Sequence, residues 1–228
     1  MKKILILLLT IFGTMTFSEN VDIVIKNATV LTMDSKRTVI ENGVVAIKNN
    51  AIVEVGNGEL LSKYKGKKTI DAENDIVMPG FINTHTHVSM VAFRSLADDV
   101  PDRLSRYIFP LENKLVSRDL VYKGAVYGIL EMVSTGTTTF ADMYYFEVAK
   151  AAELIGVRGV LGETVIKNPV ADAKEPYGGI EYAEKFIKQY KNSELVTPAF
   201  APHAPYTVDE EHLKKVTELS QKYNVPVL

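Results

Sequence analysis

The sequence predicts an α/β protein of parallel β/α units, either a doubly wound sheet or four to five strands of a (β/α)8 barrel, preceded by part of a small sheet domain. Three observations carry that prediction. Strand formers with turn residues dominate from Val21 to Met78; strand and helix patterns then alternate from Phe81 onward; and no Gly-x-Gly-x-x-Gly follows any of the later strands. The alternation leaves a doubly wound sheet or a barrel as the open solutions, and the missing glycine signature removes support for a dinucleotide-binding doubly wound sheet. An eight-unit barrel needs about 250 residues, so the stretch after Gly80 holds roughly half of one.

The elements follow in order. Met1-Lys2-Lys3, an apolar run from Ile4 to Phe12, and small residues at Thr16 and Ser18 predict a secretory signal peptide over residues 1–18. The run is about half the length of a membrane-spanning helix, which favours a leader over an anchor. The expected location is therefore outside the cytoplasm, in a bacterial periplasm, with no membrane association after cleavage. Residues 19–78 predict the part of the sheet domain. Val21–Ile25 and Ala28–Met33 are strands joined by a turn at Lys26-Asn27. Val44–Lys48 and Ala51–Val55 form a hairpin on Asn49-Asn50, read as a type I′ turn. Lys68–Asp71 and Ile76–Met78 add short extended pieces.

Residues 79–228 predict the barrel part. Phe81–His87 is a strand, buried on the evidence of Phe81 and Ile82, and a long connection follows it. A helix runs through Arg118–Ser134 until Gly136, then a strand through Thr137–Asp142. Val148–Leu154 is a short helix stopped by Gly156, before a strand from Arg158 to Thr164. Ile180–Lys191 is helical, Leu195–Ala201 is a strand, Asp209–Tyr223 is an amphipathic helix, and Val225 begins a fifth strand.

Composition narrows the chemistry. Among 228 residues, 26 Lys and Arg stand against 28 Asp and Glu, so the net charge of −2 gives no reason to expect nucleic acid. There is no cysteine, which excludes disulfides, thiolate nucleophiles and Cys-rich zinc sites. Any metal must be held by His, Asp and Glu. His85 and His87 are two apart on a strand, so both rings project from one face and can reach one ion. The alternative is a pair on a solvated edge. His203, between Pro202 and Pro205, follows a later strand and is aimed at the same rim, or else bonds its own loop. His212 lies among Asp209, Glu210, Glu211 and Lys214 and reads as solvated surface.

Met78-Pro79-Gly80-Phe81-Ile82-Asn83-Thr84-His85-Thr86-His87 resembles the opening motif of the amidohydrolase superfamily. Phe93-Arg94-Ser95-Leu96-Ala97-Asp98-Asp99, Pro110-Leu111-Glu112, Gly136-Thr137-Thr138-Thr139-Phe140-Ala141-Asp142-Met143 and Pro202-His203-Ala204-Pro205-Tyr206 make it similar to the methylthioadenosine and adenosylhomocysteine deaminases and the related chlorohydrolases. The resemblance implies a composite β-sandwich on a (β/α)8 barrel with one divalent metal ion, zinc, as cofactor. His85 and His87 match the two first-strand ligands. Glu112 matches an acid that bonds the substrate's ribose, and His203 a substrate contact. Two-metal relatives carry a carboxylated lysine on the fourth strand, and Leu195–His203 contains none, so one ion is expected.

The reaction so implied is hydrolysis of a carbon–nitrogen bond other than a peptide bond. A zinc-bound hydroxide would deaminate an adenine-type nucleoside or a related heterocycle, a small molecule. The family's third His ligand, its His-x-x-Glu and its Asp ligand would lie beyond Leu228, so no proton-shuttling catalytic residue is assigned within this chain. On that ground the sequence is expected to be the N-terminal portion of an enzyme; the alternatives are an inactive fragment with at most weak metal binding, or a chlorohydrolase or cyclic-amide hydrolase. In the adenosylhomocysteine branch, arginines after the third strand help hold a substrate carboxylate. No arginine follows Arg158 here, and Glu163 lies near where one is expected. The sequence leaves the oligomeric state open.

Overall fold

The computed structural model describes residues 18–143, 147–170 and 173–228. The predicted leader, Ser18 aside, lies outside the described residues. The chain divides into two compact units, Met1–Pro79 and Gly80–Leu228.

In the first unit, β1 (Glu19–Leu31), β2 (Val39–Lys48), β3 (Ala51–Gly56), β4 (Tyr64–Asp71) and β5 (Ile76–Val77) form one sheet in the order β3-β2-β1-β4, with β5 also paired to β1. A single helical turn, α1 (Leu60–Lys63), leads into β4. The turn predicted at Lys26-Asn27 is not a chain reversal. β1 runs through it with a bulge, the β2 register shifting between Ile25 and Ala28 while Asn27 takes φ +55°. The hairpin turn is also different: of its two asparagines only Asn49 has positive φ, 55°, where a type I′ turn needs both. Both faces of the sheet carry apolar residues. Val21, Val24, Val44 and Ala46 pack with Tyr64, while Ala28, Val30 and Val45 form a second cluster.

In the second unit, β6 (Phe81–Thr86), β7 (Thr137–Asp142), β8 (Arg158–Val165) and β9 (Val196–Pro202) form a parallel sheet in sequence order. Val227 adds a parallel bridge to Phe200, where the fifth strand was expected. Helices α3 (Arg118–Ser134), α4 (Glu147–Ile155) and α5 (Gly179–Tyr190) make the crossovers, and α6 (Glu210–Tyr223) follows β9. These parallel β/α units are those of a partial (β/α)8 barrel.

Local signals set the helix ends. The Ser117 hydroxyl accepts the Leu120 amide at the start of α3, and Gly136 at φ +90° turns the chain into β7. The Asp209 carboxylate caps α6, which ends on Asn224 in the left-handed region. The helix layer buries Val121, Ala125, Ile129, Phe140, Leu161 and Phe186 in one cluster. A second cluster joins Val165, Phe200, Ile180 and Val216.

The connection after β6 is not irregular. A 3-10 helix covers Val88–Phe93, a π-helical turn Leu104–Ile108, and α2 Phe109–Leu115. The 3-10 segment lies directly on α3 because Gly124 and Gly128 have no side chains there. A Cβ on Gly124 would stand 2.1 Å from the Ser89 carbonyl oxygen, and one on Gly128 2.6 Å from that of Val88. Phe81 and Ile82, expected to be buried, are 57% and 68% exposed. In the described structure β6 pairs on one side only, with β7.

Candidate active site

The ends of the parallel strands point their functional side chains at one place. His87 follows β6, Met143 follows β7, Thr164 sits near the end of β8, and His203 follows β9. All four line a single cavity of about 840 Å³, as does Glu112 from α2. The volume lies within the roughly 300–1,000 Å³ of small-molecule sites. Much of the wall is apolar: Met90, Phe93, Leu104, Ile108, Phe109 and Ile166 face the space.

His85 and His87 stand together as their i, i+2 spacing on a strand demands. Their ring centroids are 5.1 Å apart and their planes cross at 83°. Opposite strand faces would separate them far more. The His87 imidazole is pushed below its ordinary pKa, first by desolvation and then by the proximity of His85 and His203. It is therefore neutral and ready to donate a lone pair at neutral pH.

His203 is held from one side. Its Nδ1 lies 2.9 Å from the Thr207 hydroxyl, which itself donates to the Ala204 carbonyl at 3.1 Å. A hydroxyl has one proton, so it accepts from Nδ1–H, and His203 is left with Nε2 as an acceptor. Burial pushes this imidazole down as well, which keeps it neutral. Thr207 is a site residue that the sequence reading missed; the i, i+4 spacing within the loop is the signal that could have found it.

Asp142 locks the turn beside His87. The carboxyl is 2% exposed and accepts the amides of Met143 at 2.8 Å and Val88 at 3.3 Å. Burial outweighs those two bonds and pushes its pKa up to about 8. The adjoining hydroxyls reinforce the same junction: Thr86 Oγ1 donates to the Ala141 carbonyl at 2.8 Å, and Thr164 Oγ1 donates to that of Met143. Glu163 is not in the site. Leu161 and Val165, two residues to either side on β8, pack into the helix layer, and strand alternation puts Glu163 on their face. It is Thr164 that faces the cavity. His212 is not simply solvated, since it stacks on Tyr177 and meets Asp209.

Two imidazoles side by side suit a borderline ion such as zinc, which takes His nitrogens at about 2.0–2.1 Å. Among the described residues no third His, Asp or Glu converges with them as a metal cluster. The histidines thus fit part of such a site.

A histidine-lined cavity at the C-terminal ends of parallel strands is the arrangement of a (β/α)-barrel enzyme. Residues 76–228 match the amidohydrolase family, and the chain belongs to it. It is 44% identical over 204 residues to a 5-methylthioadenosine/S-adenosylhomocysteine deaminase of Thermodesulfovibrio yellowstonii, covering 86% of this chain and 46% of that protein. A 5'-deoxyadenosine deaminase of Methanocaldococcus jannaschii is 40% identical over 189 residues, which are 80% of this chain and 44% of that protein. Among solved structures, a zinc-bound adenosine deaminase of Xanthomonas campestris superposes with a TM-score of 0.88 at 30% identity, over 92% of this chain and 49% of that one. An atrazine chlorohydrolase of Arthrobacter aurescens, at 22% identity and TM-score 0.78, shares the fold over 90% of this chain and 52% of that one. The chain spans about half the length of the curated relatives it matches.

Proposed function

We propose that the protein carrying this chain is a metal-dependent aminohydrolase that deaminates an adenine-type nucleoside or a related heterocycle. The single observation that carries this reading is the pair His85 and His87, side by side, with His87 lining a cavity that Glu112 and His203 also line. The relatives named as deaminases of adenine nucleosides support it.

In this reading His85 and His87 would hold one zinc ion, together with further ligands. Such an ion would supply Lewis-acid chemistry, which lowers the pKa of coordinated water to about 7. The chain's own residues bind and orient. The apolar wall takes the faces of the heterocycle and limits the water around it. His203 Nε2 accepts a hydrogen bond from a substrate N–H or O–H. Glu112 accepts from ribose hydroxyls. Asp142, through the Val88 amide, fixes the backbone next to His87. We further propose export to the periplasm, supported by the Lys2-Lys3 start and the apolar run from Ile4 to Phe12. A mature N-terminus at Glu19 in periplasmic extract is the expected finding.

The test is ammonia release from adenosine, 5'-deoxyadenosine and methylthioadenosine by the protein as its host makes it, loaded with zinc. Turnover that His85→Ala abolishes supports the reading. Turnover of chlorotriazines with no action on any aminopurine would replace deamination by dehalogenation.

A further inference from the structure

Tyr177 adopts φ +58°, a left-handed backbone that a bulky residue takes only where its surroundings impose it. Those surroundings are specific. The Tyr177 amide donates to the Ile166 carbonyl at 3.0 Å. Its hydroxyl donates to the Asp209 carboxylate at 2.8 Å and accepts the Asp209 amide at 3.1 Å. Its ring stacks on His212 with centroids 3.5 Å apart and planes 9° from parallel. Asp209 also receives the His212 amide at 2.9 Å and faces His212 Nδ1 at 2.7 Å. So many partners hold the Asp209 carboxyl down to about 2, ionised at any ordinary pH.

None of the three residues lines the 840 Å³ cavity, yet each is tied to its wall. Ile166, bonded by Tyr177, belongs to the wall. The segment between β9 and Asp209 carries His203 and Thr207, and the Lys167 amide donates to the Thr207 carbonyl at 3.0 Å. Among the described residues, the connections leaving β8 and β9 are therefore joined at Lys167, whose amide and Nζ donate to the Thr207 and Tyr206 carbonyls, and at Tyr177–Asp209.

We propose that Tyr177, Asp209 and His212 form a positioning unit that fixes the connection after β8 against the connection after β9, and so sets the aim of His203 at the bound substrate. The proposal rests on the reading of His203 as a substrate contact. Tyr177 never touches substrate in this scheme; it acts through His203 and Thr207.

Tyr177→Phe tests it, because it removes the hydroxyl and keeps the stacked ring. One net hydrogen bond corresponds to roughly a tenfold change in an opening equilibrium. In the protein as its host makes it, the Lys167 and Thr207 amides are expected to exchange about tenfold faster with solvent, and the His203 Nδ1 resonance to move, while the Ile129 amide in α3 keeps its rate. KM for the deaminated nucleoside rises about tenfold and kcat stays within about twofold. His212→Ala repeats the defect, and His212→Phe, which restores a stacking ring, recovers most of it. Unchanged exchange at Lys167 and Thr207 in both Tyr177→Phe and His212→Ala would overturn the proposal. Changed exchange in a protein with no turnover on any aminopurine would instead count against the proposed reaction and leave the positioning unit standing.

Discussion

The sheet unit before Gly80 and the β/α unit after it place their polar side chains in different ways. Among the described residues, every buried polar or charged side chain follows Gly80: Ser89, Thr137, Asp142, Glu147, Glu163, Thr164 and Thr207. The sheet unit keeps its charges at the surface, in pairs such as Lys48–Glu19 at 2.8 Å and Lys67–Asp22 at 2.7 Å. Burying a carboxyl costs several kcal/mol unless it is bonded or neutralised. Asp142 meets that cost both ways, accepting two amides and carrying a proton at neutral pH. The difference teaches where the molecule tolerates unfavourable burial: in the β/α unit, with Thr164 and Thr207 on the cavity wall and Asp142 bonded to the turn beside His87.

The largest effect expected is on turnover. His85→Ala should lower deamination by at least about a thousandfold, the scale of losing an electrostatic centre at the reacting atoms. Its melting curve should stay close to that of the parent, because His85 is exposed. Comparable turnover in that variant would break the assignment of chemistry to the β/α unit.

Next comes packing. Phe140 is fully buried in the helix-facing core, and Phe140→Ala should cost about 3–5 kcal/mol in urea unfolding.

A smaller, pH-dependent effect belongs to Asp142. Its folded pKa, about 8, lies above the ordinary 3.8, so the folded state holds a proton that the unfolded state releases between those values. Its contribution is therefore fully present below pH 4 and is lost as the pH rises towards 8. Asp142→Asn should flatten that decline, measured as urea midpoints at pH 5 and pH 8. An equal decline in parent and variant would assign it to other groups. The smallest effect is expected for Lys67→Ala in the sheet unit, where Lys67 is mostly exposed; its unfolding midpoint should be indistinguishable from the parent's.

Much of this architecture is legible in the sequence, for physical reasons that also mark the limits. Period-2 and period-3.6 patterns locate β7, β8, α3 and α6, and glycine at positive φ ends α3 and α4 at Gly136 and Gly156. The His85/His87 pair is readable because alternation on a strand is a local rule. The cavity wall from Val88 to Ile108 is not, since 3-10 and π turns lack the periodicity that betrays an α-helix. Glu163 could not be assigned to a face until its neighbours Leu161 and Val165 were seen in the helix layer. His212 looked solvated amid charges because its partner Tyr177 is far away in sequence and reaches it only through the tertiary fold. Asp142 reads as an ordinary strand-end acid until Val88 is found donating to it.

The most direct test of the central claim is anomalous scattering at the zinc edge from crystals of the protein grown with zinc. The account predicts one peak within about 2.1 Å of a ring nitrogen of both His85 and His87. Zinc bound elsewhere, or by only one of those rings, would contradict it.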